Sequence, residues 1–488
     1  MKSIFTFLLL GCWLQAVAQT DTLYVPVLEK QPKAELVKVF EAKLKEDLQF
    51  ISVRDKAIKA EVEKSYIHRT QYLTQLVQST HLAEQEHIYG FYNSILQEIL
   101  KANPSLNPNI RLLIPGYYWP NAASFGEGTI TLHLGMTAVC ENESQLAFVI
   151  AHELAHQYQG HVNNAIWERA ELFTSEEVRQ LAKNAAKEAY GAKSALLQKI
   201  AEIQFDGSRH SRRFENEADS LALKYLSFTK YDLWEALRVM DILDQVDEDY
   251  FENRGGLDLQ KAFDTPAFPF KPIWLRANQT SSLLGLVGET ALEKQLRDSL
   301  KTHPECAQRK TNMERQLKFI GVKPKAQEAF AQQRFNHQRY VATAEMIAAL
   351  YADSNYVMAI YQSLIMLDKY PNDLFPHLVI GLSLAELQTH FAKRISGRVM
   401  PTSNPYHKAS YNKLIQFLEE LSKAELANLS YAYLRTHLEY TYENELYYWS
   451  MYLSSKIAGQ PSEANQHKAD YEWKYRKGKI KSKFTNTP

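Results

Sequence analysis

Two histidines four residues apart enclose a glutamate in the run Ala151-His152-Glu153-Leu154-Ala155-His156. On a helix that spacing puts both imidazoles on one face, where they can take two corners of a zinc tetrahedron. Glu153, one position on, would reach a water at the open corner. With 15 His in the chain the triplet alone is weak, and the reading needs a third ligand. Ser211 to Asp219 supplies one: a helix projects Glu215 and Asp219 from the same side, while Glu217 points roughly opposite. Glu215 is the expected third ligand. Asp219 falls where a carboxylate can accept the spare N–H of a zinc-bound imidazole and fix its tautomer. In the competing pattern, His-Glu-x-x-His-x-x-Gly-x-x-His, a third histidine is the ligand. Gly160 and His161 each miss the required place by one, so His161 is expected as a hydrogen-bonded residue at the helix end.

The elements that must position these groups read mostly as helices. From Lys33 to Lys101 apolar residues recur at helical spacing, until Asn103-Pro104 and Asn107-Pro108 end the pattern. Ile110 to Ile114 and Thr129 to Leu134 read as short strands around a bend at Gly126-Glu127-Gly128. Helical patterns return over Ser144 to Tyr158, over a long polar stretch from Ile166 to Ile203, and over Phe214 to Leu226. Between Asp247 and Ser282 the period fades into a Pro- and aromatic-rich loop, either a flap over a substrate or a segment pinned by its aromatics. From Arg334 onward helices dominate, with Leu350 to Pro371 at the spacing of a tetratricopeptide helix pair. The crowded tyrosines Tyr431, Tyr433, Tyr440, Tyr442, Tyr447, Tyr448 and Tyr452 read as helix packing. The basic tail from Lys474 to Lys483 reads as a solvated, frayed terminus.

The whole chain fits this picture. Its 488 residues suit two or three compact units, and 45% hydrophobic with 23% charged residues suits a globular protein. Few Gly and Pro favour a mainly α fold with one small sheet. Lys+Arg and Asp+Glu both number 56, so no global field recruits nucleic acid or an anionic surface. The start of the chain reads as a secretory signal peptide, a charge at Lys2, an apolar run from Ile4 to Leu10 and Ala16-Val17-Ala18, with cleavage expected after Ala18. A lipoprotein box ending at Cys12 is the competing reading. Nothing later approaches 18 consecutive apolar residues, so no transmembrane span is expected. Cleavage leaves Cys140 and Cys306, which can pair but read more simply as two buried thiols.

Together the motifs resemble the gluzincin metallopeptidases that include the CAAX prenyl proteases and HtpX, and in architecture BepA-like periplasmic chaperone-proteases. The resemblance covers roughly Ser79 to Leu317. It extends to Glu143-Ser144-Gln145-Leu146-Ala147, to Ala218-Asp219 with Ala222 and Tyr225, and to Thr302-His303-Pro304 with Arg309. It implies a zinc endopeptidase, with Zn2+ held by His152, His156 and Glu215, and Glu153 as the base. By the same resemblance His303 would donate to the oxyanion and Arg309 would brace the region. Asn121, Ala122, Gly128 and Thr129 would lie along an edge strand that holds a substrate backbone, an edge the resemblance places at Thr129 to Leu134.

The expected organisation is a signal peptide (1–18), an N-terminal helical segment (19–78), a metallopeptidase domain (79–325) and a C-terminal, degenerate tetratricopeptide-like helical domain (334–488). The expected function is hydrolysis of misfolded or misassembled envelope proteins in the periplasm or outside the cell. Protein or peptide substrates, and envelope assembly partners docked on the C-terminal helices, are the expected partners. The alternative is a chaperone or binding module with minor or latent proteolysis.

Overall fold

The computed structural model describes residue 26 and residues 33–186, 212–246, 248–275, 306–326, 328–438, 445–478 and 480–486. The expected signal peptide with Cys12, the end of the Ile166 to Ile203 stretch, His303, Tyr440 and Tyr442 lie outside these residues. The protein is mainly helical with one small sheet, as its composition predicts.

Helices α1 (Ala34–Gln49), α2 (Lys56–Ser79) and α3 (Glu86–Ala102) come first. α2 starts where Asp55 accepts from the amides of Ala57 and Ile58, and α3 stops at Asn103, ahead of Pro104. Small apolar clusters around Phe40 and Leu73 and around Val62 and Tyr66 hold α1 and α2 together, whereas α3 buries Ile88, Ile95 and Ile99 in the main core. Arg69 of α2 pairs with Asp47 of α1.

Strands β1 (Arg111–Leu113), β2 (Ala122–Ser124) and β3 (Thr129–Leu132) form one sheet in the order β1-β3-β2, with β1 parallel and β2 antiparallel to β3. This corrects the edge assignment. β3 is central and wholly buried, and the edge is β2, a three-residue strand of small side chains too short for alternation to announce. Gly126 (φ 75°) and Gly128 (φ 107°) make the bend between them, a left-handed backbone that a side chain would strain.

α4 (Leu134–Val139) and α5 (Glu143–Tyr158) follow, the latter capped by Asn142, whose side chain accepts from the Gln145 amide. The helical stretch expected over Ile166 to Ile203 is, in its described part, divided between α6 (His161–Phe173) and α7 (Glu176–Ala186). At the break the Thr174 hydroxyl bonds the Ala170 carbonyl at 2.7 Å and Ser175 Oγ accepts from Val178 N at 3.4 Å. Hydroxyls that bond the local backbone compete with helix continuation. α8 (212–226), α9 (Glu235–Gln245), α10 (Leu259–Phe263) and α11 (Cys306–Phe319) complete the region. Cys140 and Cys306 are both buried thiols.

The C-terminal part consists of α12 (Ala329–Ala352), α13 (Tyr356–Lys369), α14 (Leu374–Ala392), α15 (Ala409–Glu420), α16 (Lys423–His437), α17 (Glu445–Ile457), α18 (Pro461–Lys474) and α19 (Lys481–Asn486). One apolar core runs from Ala83 to Phe484, and the boundary expected at 334 falls inside α12, whose Phe335 lies 6.3 Å, ring to ring, from Phe91 of α3. Of the aromatic loop, residues 248–275 are pinned: Phe263 and Phe270 stack on Phe417 of α15 at 5.2 and 5.6 Å. Tyr433, Tyr447, Tyr448 and Tyr452 are buried, as packing requires. The frayed tail needs correction, because α19 buries Phe484 against Trp449, Tyr452 and Tyr471. Among the described residues no helix is long and apolar enough to cross a membrane.

Candidate metal centre

α5 is a buried helix. Residues 143–158 contain no Gly or Pro, and Leu146 to Ala155 are buried throughout. Gln145 anchors it to α9, donating to Glu235 at 2.7 Å. It ends at Gly160, whose φ of 67° turns the chain so that α6 begins at once with His161. Ala151 and Ala155 of α5 and Ala218 and Ala222 of α8 sit in the same core, and small residues there let side chains from both helices converge.

His152, His156 and Glu215 meet, their ligand atoms all within 4.8 Å of one another. The two Nε2 atoms are 3.0 Å apart, and each lies 3.4 Å from an oxygen of Glu215. Zinc bonded at about 2.0–2.1 Å in a tetrahedron separates its ligand atoms by about 3.3 Å, so the three positions match that ion. The proton count agrees. His152 Nδ1 lies 3.0 Å from Asp219 Oδ1, which places the proton of a neutral ring there and turns the Nε2 lone pair towards His156 and Glu215. Facing lone pairs and a carboxylate repel unless a cation or a proton lies between them.

Charge points the same way. Glu153, Glu215 and Asp219 are formally three negative charges, and Arg309 is the guanidinium bonded into the group. A divalent cation would cancel the remainder. Without one, a proton on His152 cancels half of it: burial alone would lower the His152 pKa, but Asp219 and Glu215 outweigh it and push it up to about 10. Burial would raise Glu215, yet His152, His156 and Arg309 hold it well below the usual carboxylate range. Asp219 is likewise lowered against its burial, by Arg309 and then His152.

Glu153 is buried beside the trio and lines a cavity with Ala122, Phe148, His152, Met240 and Arg309. That cavity joins the edge strand to the ligand cluster. In the β2–β3 ladder the carbonyl of Asn121 accepts from His133 N, and Phe125 N donates to the Thr129 carbonyl. Antiparallel alternation then turns the backbone groups of Ala122 and Ser124 outward, away from β3. Thr129 is fully buried in the central strand and Gly128 N donates to Gln157, so of the four residues expected to contact substrate only Ala122 offers a free edge. Ser124 was not foreseen, since no pattern marks so short a strand.

Two other contacts depart from the sequence reading. Glu217 does not point to solvent alone: α8 turns it towards α6, where Oε2 lies 3.5 Å from His161 Nε2. Arg309 grips both Asp219 and Glu215, a double role that spacing from His303 could not reveal.

Residues 115–317 match the model of Peptidase family M48. The match supports a metallopeptidase. It covers β2 and β3 but not β1, all of α5 and α8, and α11 up to Leu317, and therefore includes every described residue of the cluster. No curated protein matches the chain.

Proposed function

We propose that this chain is a zinc-dependent endopeptidase that hydrolyses misfolded or misassembled envelope proteins. The observation that carries the reading is the convergence of His152, His156 and Glu215 beside the carboxylate of Glu153. When bound there, zinc supplies Lewis acidity, lowering the pKa of water to about 7 and polarising a scissile carbonyl. Glu153 takes the proton of the attacking water and passes it to the leaving amine. Ala122 and Ser124 bind the substrate backbone as an added strand, which lays the chain beside Glu153. Asp219, steadied by Arg309, orients His152. His303, by resemblance, donates to the developing oxyanion.

The substrate class rests on the leader at residues 1–18, which sends the chain to the periplasm or beyond, and on the C-terminal helices as a docking surface of tetratricopeptide type. The test is metal content measured together with peptide hydrolysis, wild type beside Glu153→Gln. The reading expects zinc in both proteins and turnover lower by roughly 10²–10⁴ in the variant. Equal cleavage by the two proteins removes Glu153 as the base.

A further inference from the structure

The two imidazoles of the centre are backed by different groups. Behind His152 Nδ1 stands Asp219, a carboxylate locked by Arg309. Behind His156 Nδ1 stands another imidazole, with His161 Nδ1 at 3.0 Å. His161 Nε2 in turn lies 3.5 Å from Glu217 Oε2. The His161 ring is 3% exposed and stacks on Phe214, with centroids 4.4 Å apart and planes 20° from parallel. Its place follows from the left-handed Gly160, which starts α6 one residue after α5 has turned.

We propose that His161 is a positioning residue for the metal centre: it accepts the Nδ1 proton of His156, while the charge of Glu217, 3.5 Å from its far nitrogen, favours its own proton there, so that His156 presents Nε2 to the ion. The inference rests on the zinc reading above. A neutral imidazole carries one proton, so a ligating Nε2 requires that proton on Nδ1, where it needs an acceptor. His161 Nδ1 can accept only if its own proton sits on Nε2, and that nitrogen faces a carboxylate. One tautomer assignment therefore puts a proton in the His156–His161 hydrogen bond and the other on the side of the Glu217 carboxylate. The reverse assignment puts a proton on His161 Nδ1, forces the His156 proton onto Nε2, where it blocks the ion, and turns a lone pair towards Glu217. Stacking on Phe214 fixes the ring plane in which the relay works.

The test measures zinc affinity of the full chain by chelator competition, together with the absorption bands of the cobalt-substituted protein. His161→Phe keeps an aromatic ring on Phe214 and removes both nitrogens; it is expected to weaken zinc binding about 10- to 100-fold and to shift the cobalt bands. His161→Asn places an amide oxygen near the position of Nδ1 and is expected to recover much of the loss and the wild-type spectrum. Wild-type affinity in the Phe variant overturns the proposal, as does an equal loss in Phe and Asn, which would mark a packing defect. Should the Phe variant not fold, Glu217→Leu, on a half-exposed side chain, carries the test: weaker zinc binding supports the relay and unchanged affinity overturns it. Wild-type protein that binds no zinc overturns the zinc reading itself, and this inference with it.

Discussion

Arg309 grips Asp219 at two points, Nε to Oδ2 at 2.8 Å and Nη2 to Oδ1 at 2.7 Å, while its Nη1 lies 2.7 Å from Glu215 Oε2. One guanidinium on α11 thus serves both carboxylates of α8, and all three groups are buried or nearly so. Removing one partner of such a cluster leaves uncompensated charge away from water. Arg309→Ala is expected to destabilise the zinc-free protein by about 3–5 kcal/mol. Urea unfolding with and without zinc measures this, and a loss within about 0.5 kcal/mol, as for an ordinary surface site, contradicts the account.

Asp219→Ala tests the other half of the contact. Zinc affinity should fall about 10- to 100-fold as His152 loses the acceptor that fixes its tautomer. Chelator competition reads the effect, and unaltered affinity separates Asp219 from the centre.

The edge strand makes a kinetic prediction. Ala122 turns its N–H away from β3, so Ala122→Pro removes one outward donor and leaves the β2–β3 ladder whole. Asn121 already precedes an extended strand, which suits a residue before proline. One substrate hydrogen bond is worth about 0.5–1.5 kcal/mol, so kcat/KM for a long peptide should fall about 2- to 12-fold. Steady-state kinetics with unchanged melting is the check. Unchanged kcat/KM argues against strand addition at this edge.

Much of this centre is legible in the sequence because its information is local. The four-residue spacings of His152 with His156 and of Glu215 with Asp219 are statements about helix faces, and α5 and α8 form where the apolar period places them. What was not legible depends on neighbours distant in sequence. That β3 lies inside the sheet and β2 at its edge is decided by β1 pairing from the other side, which alternation within one strand does not encode. Spacing turns Glu217 away from the ligands, and what it meets there, His161 of α6, depends on a path set by Gly160. The tail reads as polar and basic, yet Phe484 buries its ring, Ile480 packs beside it and Lys483 lies over Tyr351 and Trp449, which docks α19.

Away from the centre, His377 gives the fold an acid-sensitive point. Burial, and then the neighbouring His437, lower its pKa to about 3, while its Nδ1 pairs with the Tyr433 hydroxyl at 2.8 Å. In the unfolded chain the group titrates near 6.5. Below that pH the unfolded state gains a proton that the folded state refuses until about pH 3, so the contribution is complete above about 6.5 and is lost as pH falls towards the folded value. At pH 5 the loss is about 2 kcal/mol. His377→Gln should shrink the difference in urea stability between pH 7.5 and pH 5, and an equal drop in both proteins contradicts the assignment.

The central claim, that His152, His156 and Glu215 hold one ion, is tested most directly by zinc X-ray absorption on the loaded protein, wild type beside His156→Ala. The account predicts two imidazole nitrogens at about 2.0–2.1 Å with carboxylate oxygen at about 2.0–2.2 Å in the wild type, and one imidazole fewer in the variant. A wild-type spectrum without imidazole, or one that His156→Ala leaves unchanged, contradicts it.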